Sequence, residues 1–147
     1  MYKHLLLPTD GSALSEQAVI HGIEFARSIS ARVTGLYVIP QPAFNATENW
    51  VHGDQDFHRH LDKIFKKQAA QYLAFIDKQA KQARVKCDCE SVAGSSPYEG
   101  ILKTAKARSC DLIYMASHGE AGSAAILMGS ETQKVLTHSP IPVLVHR

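Results

Sequence analysis

The sequence predicts a single doubly wound α/β domain, and three features carry that prediction. Short apolar runs alternate with segments of helical periodicity, in the order β-α-β-α-β-α-β-α-β. Strands separated by helices pair in parallel through right-handed crossovers, with helices on both faces of the sheet. The length of 147 residues suits one domain, which we expect to span residues 1–147. The composition, 45% hydrophobic and 20% charged, is that of an ordinary globular protein.

Each element follows from its hydrophobic period. Strands are predicted where the chain has short, β-rich apolar runs, at Leu5–Leu7 (ended by Pro8), Val33–Ile39, Val85–Ala93, Asp111–Met115 and Val143–Val145. Helices are predicted where apolar residues recur three or four positions apart, from Leu14 to Ile29, over 57–84, from Pro97, and from Ser130 to the residues before Pro140. The stretch 41–56 has no period, and we expect a long loop there.

Two helix starts carry capping residues. Ser12 is a candidate N-cap for the first helix. Ser96, followed by Pro97 and Glu99, predicts a capping box at the start of the third helix.

Composition and charge argue against several classes of partner. The net charge is only +2, and the basic face of residues 63–84 is interrupted by Asp62 and Asp77 and lacks interleaved aromatic residues, so we expect no nucleic-acid partner. The longest purely apolar runs have five residues, whereas a bilayer span needs about 20. The N-terminal apolar run is too short for a secretory signal. We therefore expect a cytoplasmic protein without a membrane partner.

Cysteine and histidine residues offer weaker candidates for metal or redox chemistry. Cys87 and Cys89 would share one face of a strand, where a direct disulfide would be strained. The favoured interpretation is reduced thiols, with a redox or metal role as the alternative. His52, His58 and His60 lie close together in sequence, but positions 58 and 60 do not share a helix face. We expect a solvated segment there rather than a metal site.

The glycine-containing loop at 116–130 is a candidate anion site. Gly119, Gly122 and Gly129 allow close backbone approach to a ligand. Gly129 and Ser130 lie where a new helix begins, and the N–H groups of a helix start suit a phosphate. No Lys or Arg occurs from Ser109 to Gln133, so backbone amides, hydroxyls or a metal would have to hold it. A loop that merely turns the chain is the alternative.

Asp10 places a carboxylate after the first strand, at the sheet edge where such folds bind ligands. It could accept hydrogen bonds from a ribose or an adenine amine, bind Mg²⁺, or simply cap the next helix. A Ser12–His118–Asp10 hydrolase is not favoured, because the G-x-S-x-G elbow is missing.

These two segments together resemble the universal stress protein family. Leu7-Pro8-Thr9-Asp10-Gly11-Ser12 is similar to the signature of its first strand. Residues 116–130 resemble its nucleotide motif, G-x2-G-x9-G-[ST], with Gly119, Gly129 and Ser130 in place. The tail 129–145 is also similar to the ending of that family.

The resemblance implies a five-stranded parallel sheet in the order 3-2-1-4-5 and a homodimer, which we expect to pair through the exposed edge of Val143, Leu144 and Val145. It also implies an adenine nucleotide, ATP, ADP or AMP, with Mg²⁺ as a possible companion. Asp10, Val38 and Ile39 would take the adenosine side, and Gly119, Gly129, Ser130 and Thr132 the phosphates. The candidate nucleotide-binding residues are Pro8, Thr9, Asp10, Val38, Ile39, Met115, Ala116, His118, Gly119, Gly129, Ser130, Glu131 and Thr132.

Two residues depart from the family pattern. Ala116 replaces the first glycine of the motif and could crowd a ribose or forbid a positive φ. Glu120 stands where a cation is common and would repel a triphosphate by about 1 kcal/mol if solvated.

The leading hypothesis is a dimeric stress-response protein in which nucleotide binding changes the surface offered to an unknown protein partner. One alternative is a nucleotide-free dimeric interaction protein with a structural glycine loop. Another is a slow metal-dependent ATPase that uses Asp10. We expect hydrolysis to be weak at most, because the sequence offers neither a clear general base nor an arginine finger.

Overall fold

The computed structural model describes residues 1–41, 55–119 and 128–147, and in them strands and helices alternate as the sequence predicts. The strands are β1 (His4–Thr9), β2 (Arg32–Pro40), β3 (Cys87–Gly94), β4 (Leu112–Ala116) and β5 (Val143–His146). The helices are α1 (Ala13–Ser28), α2 (Gln55–Ala83), α3 (Pro97–Ala107) and α4 (Ser130–His138). None of the described helices is long and apolar enough to cross a bilayer.

The five strands form one parallel sheet in the order β3-β2-β1-β4-β5, which confirms the topology that the family resemblance implies. β1 is central, and the chain builds outward from it first on one side and then on the other. The strand order therefore reverses between β1 and β4, which is where folds of this class bind ligands, outside the carboxyl ends of the strands.

Alternation along β1 separates two buried clusters. Leu5 and Leu7 face the layer of α1 and α2, where Ile23 and Ile76 are also buried. Leu6 points the other way, into a cluster with residues of α3 and α4. All three leucines are fully buried, so the central strand is covered on both faces, as a doubly wound sheet requires.

Helix ends explain where the predicted boundaries shift. The third strand begins at Cys87 rather than Val85, because residues 84 and 85 close α2. Arg84 adopts φ +57°, and the Val85 N–H donates to the Ala80 carbonyl over 2.9 Å. A residue with positive φ, followed by an N–H that donates to the carbonyl five positions back, is the Schellman motif that ends many helices.

One capping prediction is confirmed in full, and the other is confirmed in position but not in its hydrogen bond. The Ser12 hydroxyl accepts the Ser15 N–H at 3.3 Å, at the start of α1. Ser96 occupies the N-cap position of α3, but its side chain makes no capping hydrogen bond. The Tyr98 N–H at that helix start donates instead to the Glu131 carboxylate of α4, over 2.9 Å, so the cap comes from a distant part of the chain.

Candidate functional site

A cavity of about 330 Å³ opens at the carboxyl edge of the sheet, where the strand order reverses, and we call it the switch-point cavity. Its volume lies at the small end of the range for small-molecule sites. Its wall combines apolar side chains with a smaller polar set. The lining residues are Pro8, Thr9, Asp10, Ser15, Tyr37, Val38, Pro40, Pro97, Ile101, Met115, Ala116, His118, Gly119, Glu131 and Thr132.

Pro8 helps to explain why the cavity exists. The strand β1 does not end at Pro8, as the sequence analysis predicts, but continues to Thr9, paired with β2 along its whole length. Its register with β4 covers only Leu5 and Leu6. The His4 carbonyl accepts a hydrogen bond from the β4 side, so by alternation position 8 faces β4 as well. Proline has no N–H to extend that ladder, and the two strands separate there.

The turn after β1 fixes the position of Asp10 at the cavity rim. Gly11 adopts φ +79°, and an added Cβ would overlap the Tyr72 ring, so the turn requires glycine. One carboxylate oxygen of Asp10, Oδ1, accepts the Ser12 N–H at 2.9 Å. The N-cap of α1 is Ser12 and not Asp10. The Asp10 side chain stabilises only the short turn before the helix.

Gly119 brings the loop after β4 against that carboxylate. A Cβ added at Gly119 would overlap Oδ2 of Asp10. The two residues are 109 positions apart in sequence, yet only a glycine lets them approach this closely. The ends of β1 and β4 thus place the Asp10 carboxylate directly beside the Gly119 backbone.

Gly129 packs the start of α4 onto the same loop. An added Cβ would lie 3.1 Å from the Cα of His118, tighter than an ordinary contact. The Gly129 N–H donates to the Ser117 carbonyl at 2.7 Å. This glycine is therefore used for close packing, and its own N–H is already engaged within the protein.

The N-terminus of α4 supplies the amide groups of the site. The first intrahelical bond runs from the Gln133 N–H to the Gly129 carbonyl, so residues 130–132 have no partner for their N–H groups within the helix. The Thr132 hydroxyl donates to the Ala116 carbonyl at 2.9 Å. That bond ties α4 to the end of β4 and directs the helix start toward the cavity.

Ala116 does not cause the backbone problem that the sequence analysis raises. Among the described residues the non-glycine positions with positive φ are Ser30, Arg84 and Ser109. Ala116 instead ends strand β4 in extended conformation and is buried beside Thr132. Ala116 lines the cavity and also belongs to the buried cluster under α1, so its effect on a ligand is a matter of the space it occupies.

Neither Lys nor Arg is present among the described residues that line the cavity. The Glu131 carboxylate accepts hydrogen bonds from the Tyr98 N–H and, at 3.0 Å, from Lys134 Nζ. Burial raises the pKa of Tyr37, and the neighbouring Tyr72 and Asp10 act in the same direction. Tyr37 is therefore a neutral hydroxyl at pH 7, able to donate a hydrogen bond.

Ten of the thirteen candidate residues line this one cavity, and three do not. Ile39 lines a neighbouring groove beside α2. Gly129 packs behind His118, and Ser130 is exposed at the helix start. Five further residues line the cavity without being among the candidates, namely Ser15, Tyr37, Pro40, Pro97 and Ile101. Tyr37 and Pro40 could have been found from their place at the end of β2, whereas Pro97 and Ile101 depend on how α3 packs.

Some predicted features lie outside the described residues. These are Glu120, Gly122, His52 and most of the 41–56 stretch. His58 and His60 lie in the first turns of α2. In the part of the chain that the structure describes, no three His, Cys, Asp or Glu side chains converge to hold a metal ion.

Comparisons with solved structures place this fold among known relatives. The structure of protein MJ0577 from Methanocaldococcus jannaschii matches with a TM-score of 0.81 at 32% identity, over 99% of this chain and 95% of that one. A universal stress protein in complex with cAMP matches with a TM-score of 0.71 at 20% identity, over 99% of this chain and 97% of that one. The universal stress protein from Archaeoglobus fulgidus in complex with dAMP matches with a TM-score of 0.69 at 15% identity, over 99% of this chain and 98% of that one. At those lower identities the likeness shows the fold alone.

Sequence comparison gives the family. Universal stress protein MJ0531 of M. jannaschii is 30% identical over 148 aligned positions, covering 99% of this chain and 82% of that protein. The model of the universal stress protein family matches residues 1–147. With the sheet order and the whole-length match in agreement, the chain belongs to the universal stress protein family.

Proposed function

We propose that this protein binds an adenine nucleotide in the switch-point cavity and acts as a nucleotide-dependent regulatory or protective module in the stress response. The observation that carries the proposal is the juxtaposition of Asp10, Gly119 and the start of α4 around one cavity at the reversal of strand order. The complexes of two fold neighbours with cAMP and dAMP support the same ligand class.

The adenosine part fits the apolar side of the cavity. Val38, Pro40 and Met115 provide apolar surface for a base. The Asp10 carboxylate, at the rim, would accept hydrogen bonds from the ribose hydroxyls, since an ionised carboxylate is a strong acceptor. The neutral Tyr37 hydroxyl adds a donor toward the base or sugar.

The phosphates fit the side formed by Gly119 and the N-terminus of α4. The N–H groups of residues 130–132 and the positive end of the helix dipole favour an anion. Because the described lining holds no Lys or Arg, the phosphate charge would be balanced by these amides and by Mg²⁺. Without three converging protein ligands, Mg²⁺ would bind mainly through phosphate oxygens and water.

Binding rather than rapid turnover is the expected activity. Phosphoryl transfer depends on cationic groups and a positioned water or base. The described cavity lining includes Asp10 and Glu131 but neither Lys nor Arg, and Glu131 is already hydrogen-bonded to Tyr98 and Lys134. We further propose that the protein acts in the cytoplasm as a homodimer joined through β5.

The proposed ligand can be tested by thermal unfolding with and without Mg-ATP, ADP and AMP. A ligand at 100 times its dissociation constant adds about 2.7 kcal/mol to the free energy of unfolding. For a chain of this length that corresponds to a rise in Tm of roughly 5–10 °C. The Asp10→Asn variant keeps an acceptor for the Ser12 N–H but loses the charge. Its affinity should fall about tenfold, which halves the stabilisation at the same nucleotide concentration.

The matched control is Asp62→Asn, an exposed carboxylate on α2 paired with Lys66. It should respond to nucleotide like the wild-type protein. If millimolar ATP, ADP and AMP all leave the wild-type Tm unchanged, the proposal is wrong and the nucleotide-free interaction protein becomes the better account.

A further inference from the structure

Two cysteines of β3 bring their sulfur atoms together at a place that the nucleotide site does not use. Cys87 Sγ and Cys89 Sγ lie 3.8 Å apart, and neither residue lines the switch-point cavity. Neither cysteine is in a disulfide, and both residues are half-buried. They lie under α2, with Cys89 Sγ 3.7 Å from the Leu73 carbonyl oxygen.

The strand geometry works against a disulfide between them. Residues two apart on a strand have Cα atoms about 6.6 Å apart, at the far end of the range that disulfides tolerate. To bond, the sulfurs would have to close from 3.8 Å to about 2.05 Å. β3 also pairs with β2 through both positions, Val33 with Cys87 and Gly35 with Cys89, which resists the local bend that closure would need.

The same spacing suits a metal ion between the sulfurs. Metal–thiolate bonds of about 2.3 Å that span 3.8 Å between sulfurs meet at roughly 110°, so little side-chain movement is required. We propose that Cys87 and Cys89 chelate a soft, thiophilic cation of low coordination number, with Cu(I) as its cellular representative. This proposal does not depend on the nucleotide site.

The ligand set decides between the thiophilic metals. Structural zinc sites take four protein ligands, whereas no three His, Cys, Asp or Glu side chains converge among the described residues. Soft thiolates select Cu(I), which is satisfied by two thiolates and one further small ligand. Because both cysteines are only half-buried, the proposal draws that third ligand from solution.

The surroundings also suit the pair. Gly35 gives Cys89 room, because a Cβ there would lie 3.0 Å from its sulfur. The hydrogen bond between the two sulfur atoms lowers the pKa of Cys89, while the pKa of Cys87 is raised by the same bond and by burial. Asp77 raises both pKa values, but Lys81 pairs with that carboxylate at 2.6 Å. Binding releases the thiol protons, so affinity should increase with pH.

The test is an anaerobic titration of the reduced protein with Cu(I) against the chromophoric chelator bathocuproine disulfonate. In competition with the chelator, we expect the protein to hold one Cu(I) per chain. X-ray absorption should show two sulfur neighbours and one further light-atom ligand. The double variant Cys87→Ser/Cys89→Ser should lose that equivalent, and each single variant should bind at least tenfold more weakly. The Cys110→Ala variant is the matched control and should bind like the wild type, since Cys110 is buried elsewhere in the core.

Retention of the equivalent by the double variant, or a wild-type affinity equal to that of the double variant, would overturn the proposal. If the serine variant fails to fold, Cys87→Val/Cys89→Val replaces it, because β-branched residues suit a strand. Circular dichroism and Tm verify the fold of each variant. The same titration with Zn²⁺ should give no comparable retention, and preferential zinc binding would also contradict the assignment to Cu(I).

Discussion

Asp10 and Gly119 form the contact on which the proposed nucleotide site depends. The sequence identifies both residues, because each lies after a strand and the glycine falls within a recognisable spacing. Their direct contact, with Oδ2 of Asp10 where a Cβ of residue 119 would be, arises only when β1 and β4 pair. Likewise, the sequence marks Gly129 as a phosphate contact, whereas the structure uses its N–H to bind the Ser117 carbonyl.

His4 gives a prediction at the same scale. It is 5% exposed, and its Nε2 lies 2.8 Å from the Thr34 hydroxyl. Among the described residues its Nδ1 has no hydrogen-bond partner. Burial, helped by Arg32, lowers the pKa of this imidazole, although the nearby Arg108 backbone, Asp111 and Asp88 oppose the shift.

The unfolded chain therefore binds a proton more readily than the folded protein. The free energy of unfolding should be highest above about pH 6.5 and should fall as the pH drops toward the lowered pKa of folded His4. In urea unfolding between pH 7.5 and 5, the His4→Gln variant should show a shallower decline than the wild type. Equal slopes would contradict the assignment of this acid sensitivity to His4.

Helix starts show what local sequence can and cannot predict at the scale of elements. Ser12 caps α1 through a bond to a residue three positions away, which sequence spacing can predict. The cap of α3 is Glu131, 33 residues from Tyr98, and no local pattern announces it. The effect of Pro8 also depends on pairing between distant strands. The apolar run suggests that β1 ends at Pro8, but pairing with β2 continues to Thr9 and only the pairing with β4 stops.

Substitutions at the two helix starts should separate these roles. Ser96→Ala should change the free energy of unfolding by less than about 0.5 kcal/mol, since its side chain makes no cap. Glu131→Ala should lower it by about 1 kcal/mol, because it leaves the Tyr98 N–H without its acceptor. Urea unfolding at pH 7 measures both. A larger loss for Ser96→Ala than for Glu131→Ala would show that the capping box operates after all.

The arrangement of the whole molecule follows from the alternation of strands and helices, which predicts a doubly wound sheet. The order of the strands comes from the family resemblance rather than from hydrophobic period. That order leaves β5 at one edge, with half-exposed residues from Val143 to His146. The sequence cannot by itself say whether a second copy covers this edge.

The homodimer proposal can be tested at Val145. The carbonyl groups of Pro142 and His146 accept hydrogen bonds from β4, so by alternation the Val145 N–H faces the open edge. Light scattering of the wild type at micromolar concentration should give twice the chain mass of 16.1 kDa. Val145→Pro removes the outward donor and should give a monomer with little change in circular dichroism. A variant that remains dimeric would place the interface elsewhere.

The most direct test of the central claim is a crystal structure of the protein grown with Mg-ATP or AMP. The base should lie against Val38 and Met115, the ribose hydroxyls on Asp10, and the phosphates at the N-terminus of α4. A switch-point cavity filled only by water at millimolar nucleotide, with the Ala116 methyl group occupying the place of the sugar, would contradict it.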